Sequence, residues 1–130
     1  MVADRNNFIE ELRAKRILDL YRIMRKQGKY SSLHEICQDI ELMPMPIHYI
    51  SYYRAYRAYL RHFVQKQKVT YKFISRNILY NSFLARCKEF MAQGITDRDT
   101  IIHKALLSDA PCIGLSEPQI RRILRKQGAK

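Results

Sequence analysis

Residues that interrupt helices are scarce in this chain, because only four glycines and four prolines occur among its 130 residues. Alternation of apolar and polar residues appears nowhere at length, so the sequence predicts an all-α fold. No apolar run approaches the roughly 18 residues that a membrane-spanning helix needs, and acidic residues near the start (Asp4, Glu10 and Glu11) do not suit a secretory signal. We therefore expect a soluble, intracellular, cytoplasmic protein with no membrane partner.

Cysteines are also few. The three thiols, Cys37, Cys87 and Cys112, are an odd number, which argues against a disulfide framework and agrees with a reducing compartment. His34 and Cys37 have an H-x-x-C spacing, but no second pair follows at the distance of a zinc site. The sequence also lacks a glycine-rich phosphate loop, a nucleophile elbow and paired carboxylates. We therefore expect no catalytic residue, no metal, no cofactor and no enzymatic activity.

Acidic residues are missing from the middle of the chain, and the net charge of the whole sequence is +12. No Asp or Glu occurs between Leu42 and Lys88, a stretch that carries nine lysines and arginines. Mutual repulsion among these cations disfavours a compact state unless an anion compensates it, so the sequence predicts a polyanionic partner. The alternative explanation is a generally basic, well-solvated surface.

The chain contains a faint internal repeat with an offset of about 65 residues. Each copy has a proline, a serine five residues later and then an arginine-rich amphipathic stretch. The aligned pairs are Pro46 with Pro111, Ser51 with Ser116, Arg57 with Arg122 and Ile36 with Ile101. This pattern predicts a structural duplication, although two amphipathic helical segments also align to some extent through their periodicity alone.

The repeat divides the chain into a first three-helix unit (residues 1–65), a basic linker (66–72) and a second three-helix unit (73–130). The two similar units should pack together and give about six helices. The first helix of each unit should end at Gly28 or Gly94, where glycine can adopt a left-handed cap conformation. The three cysteines align with apolar positions of the other copy, so we expect them in the core.

Side-chain caps predict where the other helices begin. Ser32 and Thr96, each followed three residues later by a carboxylate, should cap the second helices. Ser51 and Ser116 should cap the third helices. Two short segments, residues 47–50 and 112–115, are candidates for extended structure that either pairs or simply connects the helices.

The third helix of each copy has one apolar face and one basic face. In the first copy the inward face should comprise Ala55, Ala58, Tyr59 and His62. In the second copy it should comprise Ile120, Ile123 and Leu124. The planar fork of arginine on the opposite face suits bidentate contacts with phosphate or with the major-groove edge of guanine.

This arrangement resembles the helix-turn-helix class of DNA-binding domains, over residues 7–62 and 73–127. The resemblance implies that the third helices, residues 51–61 and 116–126, enter the major groove. The connection before each third helix is about eight residues long, against the usual three or four, which fits a divergent tri-helical domain. With the linker lysines and two tyrosines, the expected nucleic-acid-binding residues are Arg54, Arg57, Arg61, Lys66, Lys68, Gln119, Arg122, Arg125, Lys126, Tyr53 and Tyr56.

Several tyrosines alternate with arginine in the third helix of the first copy. One interpretation is that Tyr53 and Tyr56 stack on bases of single-stranded nucleic acid. The other is that the tyrosines of this helix fill the interface between the two units while their hydroxyls reach water.

The sequence thus favours a nucleic-acid-binding protein, with duplex DNA its expected partner and a regulatory or mobile-element role. Such a protein would be associated with the nucleoid. The alternatives are a protein–protein interaction module, in which the basic charge serves only solubility, and a binder of RNA or single strands. A protein partner or a homo-oligomer is compatible with each interpretation.

Overall fold

The structure is a computed structural model that describes residues 2–128 and, within them, the side chains from Phe8 onward. The outermost residues of the two expected units, Met1 and residues 129–130, lie outside this range. The described part contains six α-helices and no strand, which confirms the expected all-α fold. The helices are α1 (Val2–Lys26), α2 (Leu33–Leu42), α3 (Tyr52–Tyr59), α4 (Ile74–Ala92), α5 (Arg98–Leu106) and α6 (Glu117–Lys126).

Both halves of the chain follow the same order of one long helix and two short ones. Gly28 and Gly94 follow α1 and α4 with φ angles of 71° and 94°, so the predicted left-handed helix ends are confirmed. The cap expected at Thr96 is wrong by one residue. The carboxylate of Asp97 accepts the backbone N–H of Thr100 at 2.9 Å, because Asp97 is the residue placed three positions before that N–H.

The serine caps confirm the predicted starts of the other three short helices. The hydroxyls of Ser32 and Ser51 accept backbone N–H groups three residues later, each at 3.3 Å. Ser116 precedes α6, and its own N–H donates to the side-chain oxygen of Gln119 at 2.9 Å. This contact from the backbone of Ser116 is one half of a capping box at α6.

The short helices of the two halves are interleaved. Helix α6, from the second half, packs against α1 and α2, and its buried face includes Ile120 and Leu124. Helix α3, from the first half, packs against α4 and α5 as well as α1, through Ala55, Ala58 and Tyr59. Each third helix therefore covers the first two helices of the other half. The division into units at residues 65 and 73 stays a prediction about the chain.

The two segments that precede α3 and α6 contact each other through their backbones. Met45 and Ala110 form one antiparallel bridge, with N···O distances of 2.8 and 2.9 Å. They precede the aligned prolines Pro46 and Pro111, so the bridge joins equivalent positions of the repeat. The pairing lies just before the expected extended segments, residues 47–50 and 112–115.

The three cysteines are free and buried, as predicted. Burial raises the pKa of the Cys37 thiol to about 11 and that of Cys87 to about 12, and it also raises the pKa of Cys112. The thiolate is the form of cysteine that acts as a nucleophile or a metal ligand. At neutral pH these three residues therefore behave as small apolar side chains of the core.

His48 is a buried polar residue of the core, with only 1% of its surface exposed. Its Nδ1 lies 2.9 Å from the carbonyl oxygen of Ser108, and its Nε2 lies 2.9 Å from the hydroxyl of Ser82. Burial lowers the pKa of His48 below its ordinary value of 6.5. Arg86 lowers this pKa further, whereas the Ser108 carbonyl and Asp109 oppose the shift.

We expect acidification to destabilise the fold through His48. The unfolded chain binds a proton at this histidine near pH 6.5, whereas the native state resists protonation, so stability falls as pH drops below 6.5 and through the lower native pKa. Thermal unfolding measured from pH 7.5 to 5 should show this loss. His48→Gln should flatten the profile. Identical slopes for the wild type and His48→Gln would refute this origin.

Candidate nucleic-acid interface

Helix α3 separates a buried small-residue face from an exposed basic face. Ala55 and Ala58 have at most 1% of their surface exposed, and small side chains there let α3 lie close to its neighbours. Arg54, Arg57 and Arg61 are exposed, as the three- and four-residue spacing predicts.

The α-helix gives way to a π-helical turn at Leu60–Val64, and this change moves His62 away from its expected position. The wider turn alters the angular spacing of side chains. His62 is exposed, and Phe63 instead turns inward, with its ring centre 5.0 Å from that of Tyr59. The expectation that His62 lies on the buried face is therefore wrong, because its helical periodicity ends at Tyr59.

Two tyrosines of α3 contact α5. The ring of Tyr52 stacks on His103 with ring centres 4.9 Å apart, and its hydroxyl donates to Asp99. The hydroxyl of Tyr56 accepts from the guanidinium of Arg98 at 3.2 Å. These contacts agree with the interpretation that tyrosines fill an interface between the two halves.

Tyr53 differs from these tyrosines because 46% of its surface is exposed. The guanidinium carbon of Arg57 lies 5.7 Å from the centre of its ring, within the range of a cation–π interaction. Tyr53 and Arg57 therefore form an exposed aromatic–basic pair. Tyr56, the second expected stacking residue, is half-buried and already bonded to Arg98.

Helix α6 also presents a basic face to solvent. Arg122, Arg125 and Lys126 are exposed. Arg121 is half-buried and lies 3.5 Å from Glu117 on the same helix, so its charge is partly compensated. The side chain of Gln119 accepts the N–H at the helix start, and its oxygen is therefore occupied by capping.

Among the described side chains, the cations of the two basic faces have no acidic partners. The ion pairs of the described side chains join Glu117 with His34, Glu117 with Arg121, and Arg86 with Glu89. None of these pairs includes a basic residue that was expected to bind nucleic acid. The exposed cations of α3 and α6 are therefore available to an external anion.

The linker continues the basic surface beyond α3. Lys66 and Lys68 are exposed, and Lys66 has a left-handed φ of 57°. The N–H of Gln67 donates to the carbonyl of Arg61 at 2.8 Å, and Val69 is buried with 6% exposure. The linker is thus anchored at Gln67 and Val69, which holds Lys66 and Lys68 near the π-helical turn that follows α3.

The start of α6 contacts two side chains of α2. The carboxylate of the buried Glu117 lies 3.0 Å from Nδ1 of His34, and its backbone N–H donates to Glu41 at 2.9 Å. His34 therefore contacts a carboxylate rather than Cys37. No group of three or more His, Cys, Asp or Glu residues that could hold a metal ion occurs in the described part of the chain.

A second basic feature, which the sequence did not indicate, is a pocket where α1, α3 and α4 meet. Arg13, Arg54 and Arg76 come from these three helices and line it together with Tyr80. The guanidinium of Arg54 lies within hydrogen-bonding reach of the Tyr80 hydroxyl. Arg13 and Arg76 were missed because neither belongs to a third helix, and only folding brings them beside Arg54.

Within the described residues, no helix is long and apolar enough to cross a membrane.

No protein-family model, curated protein or solved structure matches the chain. The candidate interface is therefore defined by its own residues and geometry.

Proposed function

We propose that this protein binds nucleic acid, with duplex DNA as its favoured partner, through the basic faces of α3 and α6. One observation carries the proposal: both third helices bury their apolar faces against the other half and leave exposed cations that form no ion pair with the described side chains. Arginine and lysine on such faces neutralise phosphates and release counterions. The exposed arginines could also contact guanine in the major groove.

The arrangement of the tyrosines favours a duplex over a single strand. Binding of single strands without sequence preference uses several rings as stacking platforms. Tyr52 and Tyr56 contact α5 instead, which leaves Tyr53 as the exposed ring of α3. Duplex binding is compatible with a regulatory or mobile-element role and with a cytoplasmic location on the nucleoid, and both are part of this proposal.

An interaction module is the second candidate, and a specific surface favours it. Leu42 and Ile74 each have 77% of their surface exposed, and Ile78 has 46%. They line a shallow groove with Pro111. Exposed apolar patches of this kind often mark protein–protein contacts.

The salt dependence of binding tests the proposed function. If about four to six phosphates are neutralised, log affinity for a random-sequence duplex should fall against log salt with a slope of about −4 to −5. The Arg57→Ala/Arg122→Ala double variant should weaken binding by at least about thirtyfold, because each of the two lost contacts contributes about 1 kcal/mol or more. Fluorescence anisotropy at several salt concentrations measures both effects, and a single strand of equal length serves as the comparison.

The matched control is Lys29→Ala/Lys88→Ala, which removes the same charge from two exposed positions outside α3 and α6. This variant should reduce affinity much less. An affinity that does not depend on salt, or equal losses in the two double variants, would refute the third helices as the binding surface. That result would favour the interaction module.

A further inference from the structure

The pocket between α1, α3 and α4 has the size and lining of a site for one small anion. Its volume is about 70 Å³, several times the space that one water molecule requires. Arg13, Arg54 and Arg76 line it together with the Tyr80 hydroxyl and the cap residue Ser51. The lining thus combines three arginines with three hydroxyl-bearing residues, of which Tyr49 is the third.

Positive charge in this pocket is only partly compensated. Burial is the main cause that lowers the pKa of Arg13. The positive charges of Arg54 and Arg76 lower it further. Glu10 is the carboxylate of the pocket lining, and its charge opposes these effects. Arginine keeps its charge in proteins, so three cations face one carboxylate among the described side chains of the lining.

Arg13 also carries an unsatisfied donor. Its Nε is buried and has no hydrogen-bond partner among the described residues. A buried donor without an acceptor is unfavourable, so part of the guanidinium group of Arg13 is poorly compensated. The three arginines of the lining favour an acceptor-rich anion over an apolar ligand.

We propose that this pocket binds a single phosphate group, held by Arg13, Arg54 and Arg76 with the Tyr80 hydroxyl as a further donor. Phosphate offers several acceptor oxygens, and guanidinium groups bind them in a bidentate manner. The inference goes beyond the proposed function, because it requires a phosphate group and not a nucleic acid. This phosphate group belongs either to a nucleic-acid strand or to a small phosphate-containing anion.

Calorimetric titration of the full-length protein with inorganic phosphate, at constant ionic strength, tests the pocket. Arg76→Gln should weaken phosphate binding about tenfold, as expected for the loss of a charge-assisted contact. The matched control is Arg86→Gln on the same helix, whose guanidinium is bonded to Glu89 at 3.0 Å. It should change the affinity less than twofold.

Glu10→Gln provides a test in the opposite direction. Glu10 is exposed at the edge of the pocket, so its replacement should preserve the fold. Removal of its negative charge should tighten phosphate binding. This variant keeps the proposal testable even if Arg76→Gln is poorly folded.

The source of the phosphate is decided by measuring duplex DNA binding with the same variants. A loss of both phosphate and DNA affinity in Arg76→Gln would assign the pocket to a nucleic-acid phosphate. A loss of phosphate affinity without a loss of DNA affinity would assign the pocket to a small phosphate-containing anion. The proposal that this pocket binds phosphate is refuted by any of three results. These are no binding of inorganic phosphate, equal phosphate affinity of Arg76→Gln and Arg86→Gln, or weaker phosphate binding by Glu10→Gln. Each of these results is independent of the effect of Arg57 and Arg122.

Discussion

Separated from each other, the two halves of this chain are expected to be unfolded. In a fragment of residues 73–130, helix α6 loses α1 and α2, the helices against which it packs. Burial of Ile120 and Leu124, both 0% exposed, contributes about 1.5–3 kcal/mol each. Their exposure would remove a large share of the roughly 5–15 kcal/mol that stabilises a typical protein.

The isolated first half should also be unfolded, because its third helix loses packing partners from the other half. In a fragment of residues 1–72, helix α3 keeps α1 but loses α4 and α5. The contacts of Tyr52 and Tyr56 with α5 are lost as well. Circular dichroism should show little helix and no cooperative melting for this fragment.

Mixing the two fragments provides the control. An equimolar mixture should regain the helical signal and cooperative unfolding of the intact chain, and sedimentation should show a one-to-one complex. If either fragment melts cooperatively as a monomer, the interleaved packing does not determine the stability of the halves.

A large loss of stability is also expected for Gly114→Ala. Gly114 has a φ of 83°, and a β-carbon added there would overlap the side chain of Leu79 on α4, whose own β-carbon would lie only 3.3 Å away. Left-handed backbone costs a non-glycine residue about 1–2 kcal/mol. Overpacking against the buried Leu79 adds about 1–3 kcal/mol, which gives a loss of about 3 kcal/mol.

Gly94→Ala is the matched control for this substitution. Gly94 also has a left-handed φ, of 94°, but nothing lies within 4 Å of the position that a β-carbon would occupy. Its replacement should cost about 1–2 kcal/mol, from the backbone alone. Denaturant unfolding measures both variants, and equal losses would show that the contact with Leu79 has no energetic effect.

The sequence predicted the local features of this fold because they depend on neighbours only a few residues apart. Helix ends at Gly28 and Gly94, and helix starts at Ser51 and Ser116, follow from backbone conformation and short-range hydrogen bonds. The two-faced third helices follow from their periodicity. His62 shows where this reasoning ends, since a π-helical turn changes the periodicity without a clear signal in the sequence.

Tertiary structure alone decided which helices meet. The repeat indicated similar halves, but nothing in its periodicity indicated that α6 would cover α1 and α2, or that α3 would cover α4 and α5. The meeting of Arg13, Arg54 and Arg76 in one pocket depends on that choice. An amphipathic helix specifies which of its faces is buried, but the partner is selected by complementary packing between distant segments, which leaves no periodic pattern in the sequence.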